Sequence, residues 1–247
     1  IQLAAAALFS RSAEAAVAEQ DWTGQRLLVT AGPTREPIDG ARVLSNNSSG
    51  RMGVLLAQAA RLRGAAVDLV HGPLTLPEAW LEGLECCPVD TAAELEAALR
   101  QRQGSADAVV MAAAVADLRR DAVEQAKLAK LELPDALAQG WVEVPDLLAG
   151  LAERRPEGQL LLGFAALSGD EDALIRAGER KRIAKGCQLM FVNPIDRQGQ
   201  GFGDQANGGW LLGDDWNQEL PVMPKLALAQ RLLDGLLTLR AAESGTS

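Results

Sequence analysis

Short apolar runs alternate with amphipathic segments along most of the chain. The apolar runs have the length of buried strands, and they are QRLLVTAG (25–32), GAAVDLVHGP (64–73), LECCPV (84–89), ADAVVMAAAVAD (106–117), QLLLGFAAL (159–167) and CQLMFVNPI (187–195). Helical spacing of apolar residues is found in GVLLAQAARLRG (53–64), TAAELEAALRQR (91–102), PDLLAGLAERRP (145–156) and DALIRAGERKRIAKG (172–186). This alternation predicts βαβ crossovers. We therefore expect an α/β fold, a doubly wound, mostly parallel sheet in a three-layer sandwich.

Two stretches depart from the alternation. Residues 118–143 contain a charged loop and then two short alternating pieces, KLEL and WVEV, which predict a small β-hairpin extension of the main sheet. Residues 194–216 are rich in Gly and Asp and predict loops around one further short strand. A last helix is predicted over 224–240, and Thr91 with Glu94 predicts a capping box.

The chain is predicted to hold one main domain over residues 25–242, because no internal repeat or flexible linker divides it. The alanine-rich segment 1–24 has no basic leader and predicts a linker-like helix that leads out of something longer upstream. Residues 243–247 predict a frayed tail. No apolar run approaches the ~18 to 20 residues of a membrane span, so we do not expect a membrane protein.

The composition restricts the class of ligand. A net charge of −9 and a pI near 4.8 argue against nucleic-acid and anionic-membrane binders, which need a basic face. An anionic ligand would have to be held by locally placed Lys and Arg. Cys86, Cys87 and Cys187 have no metal-ligand spacing, which indicates a reducing, cytoplasmic location. The single histidine, His71, is interpreted as a surface residue at a strand end.

Three loops are expected at the ligand-binding edge of the sheet. Ligands of such sheets bind outside the carboxyl ends of the strands, where the crossover direction reverses. The loops in question follow LLVTAG, VVMAAAVAD and LLLGFAAL. The first is much longer than the ~2 to 6 residues of an ordinary strand-to-helix connection, and this length is typical of a functional loop.

The end of the first loop is SNNSSGRMG (45–53), just ahead of a helix. Its serines and glycines leave backbone N–H groups open to a phosphate or carboxylate, and the helix dipole adds positive charge. Arg42 supports this interpretation because a guanidinium suits bidentate contact with an oxyanion. The segment is neither a G-x-G-x-x-G fingerprint nor a P-loop. The alternative is a helix cap with a polar turn.

The second loop follows the small side chains of MAAAVAD (111–117). Alanines at a strand end let a flat base or a sugar approach the backbone, and Asp117 could accept from a hydroxyl or hold a metal ion. The alternative is a tightly packed strand capped by a solvated Asp. Lysines recur in KLAK (127–130) and RKRIAKG (180–186), where Lys181 and Lys185 share a helix face. Each alone is typical of solvated surface, but together with Arg42 they would suit a triphosphate.

Several motifs, in this order, resemble one enzyme family. They are TAGPTREPIDGARVLSNNSSGRMG, AAAVADLR, KLAK, PDLLAGL, LLGFAAL and ERKRIAKG with LMFVNPI, and the match spans about residues 25–240. The family is that of the phosphopantothenate cysteine ligases, also called phosphopantothenoylcysteine synthetases, of coenzyme A biosynthesis. Three positions differ from its pattern: Ala129 replaces a lysine, Leu118 an aromatic residue and Asn47 a histidine.

The resemblance implies a Rossmann-like fold, a homodimer and a ligase that uses CTP and Mg²⁺. The carboxylate of 4′-phosphopantothenate would attack the α-phosphate of CTP, and the amine of L-cysteine would then displace CMP from the acyl cytidylate. In many bacteria such a ligase is fused behind a flavin-dependent decarboxylase, which could lie upstream here.

The resemblance also assigns residues. Asn46 would contact the phosphopantothenoyl part and support attack by cysteine, Arg42 would lie beside it, and Lys127 would begin a mobile flap over the intermediate. The implied nucleotide contacts are Ala113, Ala114, Asp117, Lys127, Pro145, Asp146, Leu147, Leu148, Phe164, Lys181 and Lys185.

Two other readings of the sequence stay open. One is a Rossmann-like module that binds a dinucleotide or a flavin, as an oxidoreductase or a sensor, although the first loop lacks the required glycine spacing. The other is a structural subunit that has kept the fold and lost catalysis.

Overall fold

The computed structural model describes residues 20–197, 199–200 and 206–244. The predicted linker helix falls mostly outside these ranges, and so does the end of the predicted tail. Within them the strands are β1 (Arg26–Ala31), β2 (Arg35–Asp39), β3 (Arg42–Ser45), β4 (Ala66–His71), β5 (Glu85–Pro88), β6 (Ala108–Met111), β7 (Leu118–Arg120), β8 (Trp141–Glu143), β9 (Leu160–Leu167), β10 (Leu189–Pro194), β11 (Asn207–Gly213) and β12 (Trp216–Met223).

The α-helices cover both faces of the sheet. In the same described ranges they are α1 (Arg51–Leu62), α2 (Ala92–Arg102), α3 (Leu133–Ala138), α4 (Leu147–Glu153), α5 (Glu171–Lys185) and α6 (Lys225–Ser244). The predicted capping box is confirmed at α2, where Thr91 Oγ1 accepts from Glu94 N at 3.2 Å. None of these helices is both long enough and apolar enough to cross a membrane.

Eight strands form the main sheet, in the order β12-β11-β10-β9-β6-β1-β4-β5. The six strands from β5 to β10 are parallel, and β11 and β12 add an antiparallel edge. Helices α1 and α6 pack on one face, and α2, α4 and α5 on the other. The Rossmann-like three-layer α/β sandwich is therefore confirmed.

The apolar runs are continuous because the central strands are buried on both faces. In β1, Leu27 and Val29 join the core beneath α1 and α6, whereas Leu28 joins the core on the opposite face. Helix α1 lies unusually close to β1, since a Cβ on Gly53 would clash with the carbonyl oxygen of Thr30. This contact fixes the beginning of α1 at the carboxyl end of β1.

The predicted hairpin is only partly correct. WVEV contains β8, but its antiparallel partner is β7, and the pair forms a separate two-stranded sheet and not an extension of the main one. KLEL lies in a turn and at the start of α3, where Pro134 occupies the first turn. Proline is pre-organised for a helix start and cannot donate in a strand ladder, so a helix forms there.

Two other features were not predicted. The long loop after β1 contains the β2–β3 hairpin, and β12 follows the predicted further strand, β11.

Candidate active site at the carboxyl ends of the central strands

The strand order reverses at β1 and β6. From β1 the chain proceeds to β4 and β5 on one side, whereas β6, β9 and β10 lie on the other. The segments that follow β1 and β6 are joined by hydrogen bonds from Thr34 N to the Ala114 carbonyl (3.2 Å) and from Ala114 N to the Gly32 carbonyl (2.9 Å). Open α/β sheets bind their ligands in the crevice at such a point.

A cavity of about 790 Å³ opens there, and we call it the first cavity. Its walls come from the end of β6, the turn before α4, the middle of β9 and the last turns of α5. The residues that line it are Met111, Ala113, Val115, Ala116, Asp117, Leu118, Glu143, Val144, Pro145, Asp146, Leu147, Leu148, Phe164, Lys181 and Lys185. Its volume is in the range of small-molecule sites.

Lys181 and Lys185 bring positive charge to the first cavity. They are one turn apart on α5 and therefore share a face. Lys185 forms an ion pair with Asp146. The Asp146 carboxylate also accepts the N–H of Ala149 at 3.1 Å and so caps α4. This pairing fixes one lysine beside the turn before α4, at the rim of the cavity.

A second cavity of about 590 Å³ adjoins the first. It is lined by Asn46, Asn47, Ser48, Ser49, Gly50, Arg51, Met52, Ala112, Ala113, Ala114, Val115, Asp117, Phe164, Ala166, Asn193, Ile195, Asn207 and Lys225. Ala113, Val115, Asp117 and Phe164 line both cavities. The Phe164 ring is held edge-to-face against Phe191, with 5.5 Å between ring centroids. An elongated ligand can therefore extend from one cavity into the other along these shared residues.

Asn46 contacts the segment that follows β6. Its Nδ2 group donates to the Val115 carbonyl at 2.9 Å and to the Ala114 carbonyl at 3.3 Å. Both bonds use the donor end of the amide, so neither engages the Oδ1 acceptor. Asn46 is therefore fixed at the place where the two cavities meet.

The segment around Lys127 is held against the β2–β3 turn by three residues, Asp39, Arg42 and Leu128, which we call the Asp39 clamp. The buried Asp39 carboxylate accepts the Leu128 N–H at 3.1 Å and pairs with the Arg42 guanidinium at 3.1 Å. Arg42 Nη2 donates to the Leu128 carbonyl at 3.1 Å. Lys127 itself is exposed. The clamp therefore fixes the backbone next to Lys127 and leaves the lysine side chain in solvent.

The Asp39 carboxyl has a lowered pKa. Burial alone would raise the pKa, but the N–H groups of Ala41 and Leu128 and the charge of Arg42 outweigh burial. A carboxyl whose pKa is lower in the folded state than in the unfolded state stabilises the fold above the unfolded pKa. That contribution is lost as the pH falls through the folded pKa. The clamp should therefore be intact at neutral pH and weaken only in acid, below about pH 4.

Asp39→Asn is expected to loosen the Leu128 segment at neutral pH, because the ion pair with Arg42 is lost and one acceptor becomes an amide donor. The measurement is hydrogen exchange at the Leu128 amide, corrected for the intrinsic effect of pH. Wild-type protection should fall in acid, whereas the variant should be poorly protected throughout. Asp214→Asn, at an exposed carboxylate, is the control. Equal protection of Leu128 in Asp39→Asn and wild type at pH 7 would show that the clamp has no effect.

The family model of the DNA/pantothenate metabolism flavoprotein C-terminal domain matches residues 22–239. The chain belongs to this family. The resemblance carried by the sequence motifs is therefore confirmed at the level of the family.

Relatives of the chain are described as coenzyme A biosynthesis bifunctional protein CoaBC. The chain is 40% identical over 230 residues to the protein of Mycobacterium bovis, covering 90% of the chain and 54% of the relative. It is 38% identical over 213 residues to the protein of Escherichia coli K12, covering 86% of the chain and 51% of the relative. The crystal structure of the C-terminal domain of CoaBC has a TM-score of 0.72 at 31% identity, covering 88% of this chain and 98% of that one. The chain spans about half the length of the curated relatives it matches.

The structure brings most of the predicted site residues together. All of the implied nucleotide contacts except Lys127 and Ala114 line the first cavity, and Ala114 lines the second with Asn46. Arg42 and Lys127 line neither cavity and lie at the Asp39 clamp. Asn193, Asn207 and Lys225 were not predicted, although Asn193 lies within one of the motifs.

The carboxylates at the site can be tested as ligands for the expected Mg²⁺. Among the described residues, no three His, Cys, Asp or Glu side chains converge as a group that could hold a metal ion. Asp117, Glu143 and Asp146 nevertheless line the first cavity. Because Mg²⁺ is usually bound by one or two carboxylates together with substrate phosphates, this lining fits a metal ion that arrives with a nucleotide.

Proposed function

We propose that this domain ligates 4′-phosphopantothenate to L-cysteine through an acyl cytidylate, with CTP converted to CMP and pyrophosphate. The observation that carries the proposal is the pair of adjoining cavities at the carboxyl ends of β1, β6 and β9. The acyl cytidylate has a phosphopantothenoyl part and a nucleotide part, so its site needs two adjoining cavities that meet where the two parts are joined. The family and the coenzyme A biosynthesis description of its relatives support the same reaction.

The nucleotide belongs in the first cavity. The small side chains of Ala113 and Ala116 leave room for a flat base or a sugar beside the strand end, and Phe164 supplies an apolar wall. Lys181 and Lys185 lie where phosphate charge must be offset. Asp117 or Asp146 would hold Mg²⁺, which would supply further positive charge to the polyphosphate.

The first step joins two anions. A carboxylate oxygen of phosphopantothenate forms a bond to the α-phosphorus of CTP, the bond to the β-phosphate oxygen breaks, and pyrophosphate leaves. Because like charges approach each other, cations and oriented N–H donors are the main catalytic requirement. We assign part of this role to Lys127, whose exposed side chain would extend over the intermediate from the segment held by the Asp39 clamp.

The second step forms the amide. The cysteine nitrogen attacks the acyl carbon, the bond from that carbon to the cytidylate oxygen breaks, CMP leaves, and the amine loses a proton. Asn46 lies at the meeting point of the two cavities, and its Oδ1 can accept from the attacking amine. The phosphopantothenoyl arm then lies in the second cavity, where the dipole at the start of α1 favours its terminal phosphate.

The assembly we propose is a cytoplasmic homodimer, accompanied by an upstream flavin-dependent decarboxylase domain. The exposed apolar side chains of Val43 and Leu44 on β3, 47% and 37% accessible, support a partner surface on the β2–β3 hairpin. Such a contact would place Arg42 and the Asp39 clamp beside the second protomer. The bifunctional description of the relatives supports the upstream domain.

The proposal is tested by incubating the protein with phosphopantothenate, L-cysteine, Mg²⁺ and one triphosphate at a time, and identifying the products by mass. We expect CMP, pyrophosphate and the amide with CTP. Pyrophosphate release should require phosphopantothenate but not cysteine. A protein that forms no amide with any triphosphate, or that changes the absorbance of added NADPH or flavin instead, would refute the proposal.

A further inference from the structure

A buried lysine lines the second cavity. Lys225 is the first residue of α6 and is only 8% exposed. Asn193 and Asn207, 8% and 5% exposed, line the same cavity. Lysine is almost never this deeply buried without a charge-related reason. The three side chains come from three separate elements, β10, β11 and α6.

The two asparagines lie on neighbouring strands whose backbones approach closely. Asn193 lies near the carboxyl end of β10, and Asn207 begins the antiparallel neighbour β11. The pairing of β11 with its other neighbour, β12, shifts register between Asn207 and Gly209. On the β10 side, a Cβ on Gly209 would overlap the carbonyl oxygen of Val192. Only glycine permits this approach, at a φ of 152°. Bulges of this kind are over-represented next to active sites, where they redirect a side chain.

The donors at this position are suited to an anion. Asn207 Oδ1 accepts the N–H of Gly208 at 3.0 Å, so the amide end of Asn207 that is left for a ligand is the donor end. The ammonium of Lys225 stands at the beginning of a helix, where the dipole is also positive. A lysine placed only for helix stability would be favoured at the other end. An ammonium has three donors and can keep a protein partner while it donates to a ligand.

We propose that Lys225, Asn193 and Asn207 form the subsite that binds the carboxylate of L-cysteine. This inference rests on the proposed function. Besides the reacting carboxylate of phosphopantothenate, the reaction brings three anionic groups into the site: the nucleotide phosphates, the terminal phosphate of phosphopantothenate and the cysteine carboxylate. Lys181 and Lys185 serve the first group and the start of α1 the second. The Lys225 subsite is the third set of donors, and it faces the second cavity, from which the amine must reach the acyl carbon.

The experiment compares L-cysteine with cysteamine, which has the same amine and thiol but no carboxylate. In the wild type, kcat/KM should favour cysteine. In Lys225→Met, which keeps a side chain of similar length, the preference should fall by a factor of about ten or more, as expected for loss of a hydrogen bond to a charged group. The loss should arise in kcat/KM for cysteine and not for cysteamine. Lys225→Arg should restore part of the preference.

Two further variants support the comparison of cysteine with cysteamine: one controls for the loss of a positive charge, and the other tests the subsite without changing Lys225. Arg231→Met changes an exposed cation on the same helix and should keep the wild-type preference. Asn193→Ala should lower the preference even if Lys225→Met does not fold, as judged by circular dichroism.

Three outcomes would overturn the inference. The first is a wild-type preference retained in folded Lys225→Met or Asn193→Ala. The second is a raised KM for phosphopantothenate with the preference intact, which would make this a phosphate subsite. The third is a wild-type protein that forms no amide at all, which would refute the proposed function together with this inference.

Discussion

Asn46→Asp should slow amide formation by a factor of about 10² or more, in line with the loss of an oriented polar group at a reacting centre. The variant should still release pyrophosphate, and the acyl cytidylate should accumulate. The reason is local. The amide of Asn46 donates to two carbonyl oxygens, at 2.9 and 3.3 Å, and a carboxylate would be repelled by both. The side chain would turn away from the junction of the cavities and lose its position beside the attacking amine.

The measurement is a chemical-quench time course in which pyrophosphate, acyl cytidylate and amide are followed separately. Asn217→Asp makes the same chemical change at an exposed position on β12 and should leave both steps at the wild-type rate. If Asn46→Asp slowed pyrophosphate release and amide formation equally, Asn46 would not have the role assigned to it in the second step.

Lys127→Gln should lower the rate of the first step by a factor of about 10² or more, the usual loss for a group that meets developing phosphate charge. The clamp fixes Leu128 through both its N–H and its carbonyl. The adjacent Lys127 is therefore attached to an anchored backbone, and its long side chain is exposed. Glutamine keeps hydrogen-bonding capacity and removes the charge.

The quantity to measure is single-turnover pyrophosphate release without cysteine, since this isolates the first step. Lys127→Arg retains the charge and is expected to recover much of the rate. Wild-type release by Lys127→Gln would make this lysine an ordinary surface residue.

The architecture could be predicted because a strand that is buried on both faces appears in the sequence as a continuous apolar run. Leu27, Leu28 and Val29 belong alternately to the two cores, so the strand is apolar at every position. The hairpins could not be predicted in this way. β12 is exposed at most of its positions and is specified by its pairing with β11. The pairing of β7 with β8 likewise joins segments about twenty residues apart, which no local pattern reveals.

The candidate site, too, could be predicted only in part from the sequence. The loops after β1, β6 and β9 could be expected to converge, because parallel strands present their carboxyl ends at one edge. Lys225, Asn193 and Asn207 could not be selected, since each alone is an ordinary polar residue and only the fold brings them to one cavity. Arg42 illustrates the opposite case. It was expected at the site, and the structure places it in the Asp39 clamp, outside both cavities. Its catalytic role stays a prediction.

The central claim, that a carboxylate attacks the α-phosphorus of CTP, is tested most directly by isotope transfer. Phosphopantothenate that carries heavy oxygen in its carboxylate is turned over with CTP, Mg²⁺ and L-cysteine, and the products are weighed by mass spectrometry. The account predicts that one labelled oxygen leaves with CMP and the other remains in the amide. Unlabelled CMP, or CDP with the label in inorganic phosphate, would contradict it.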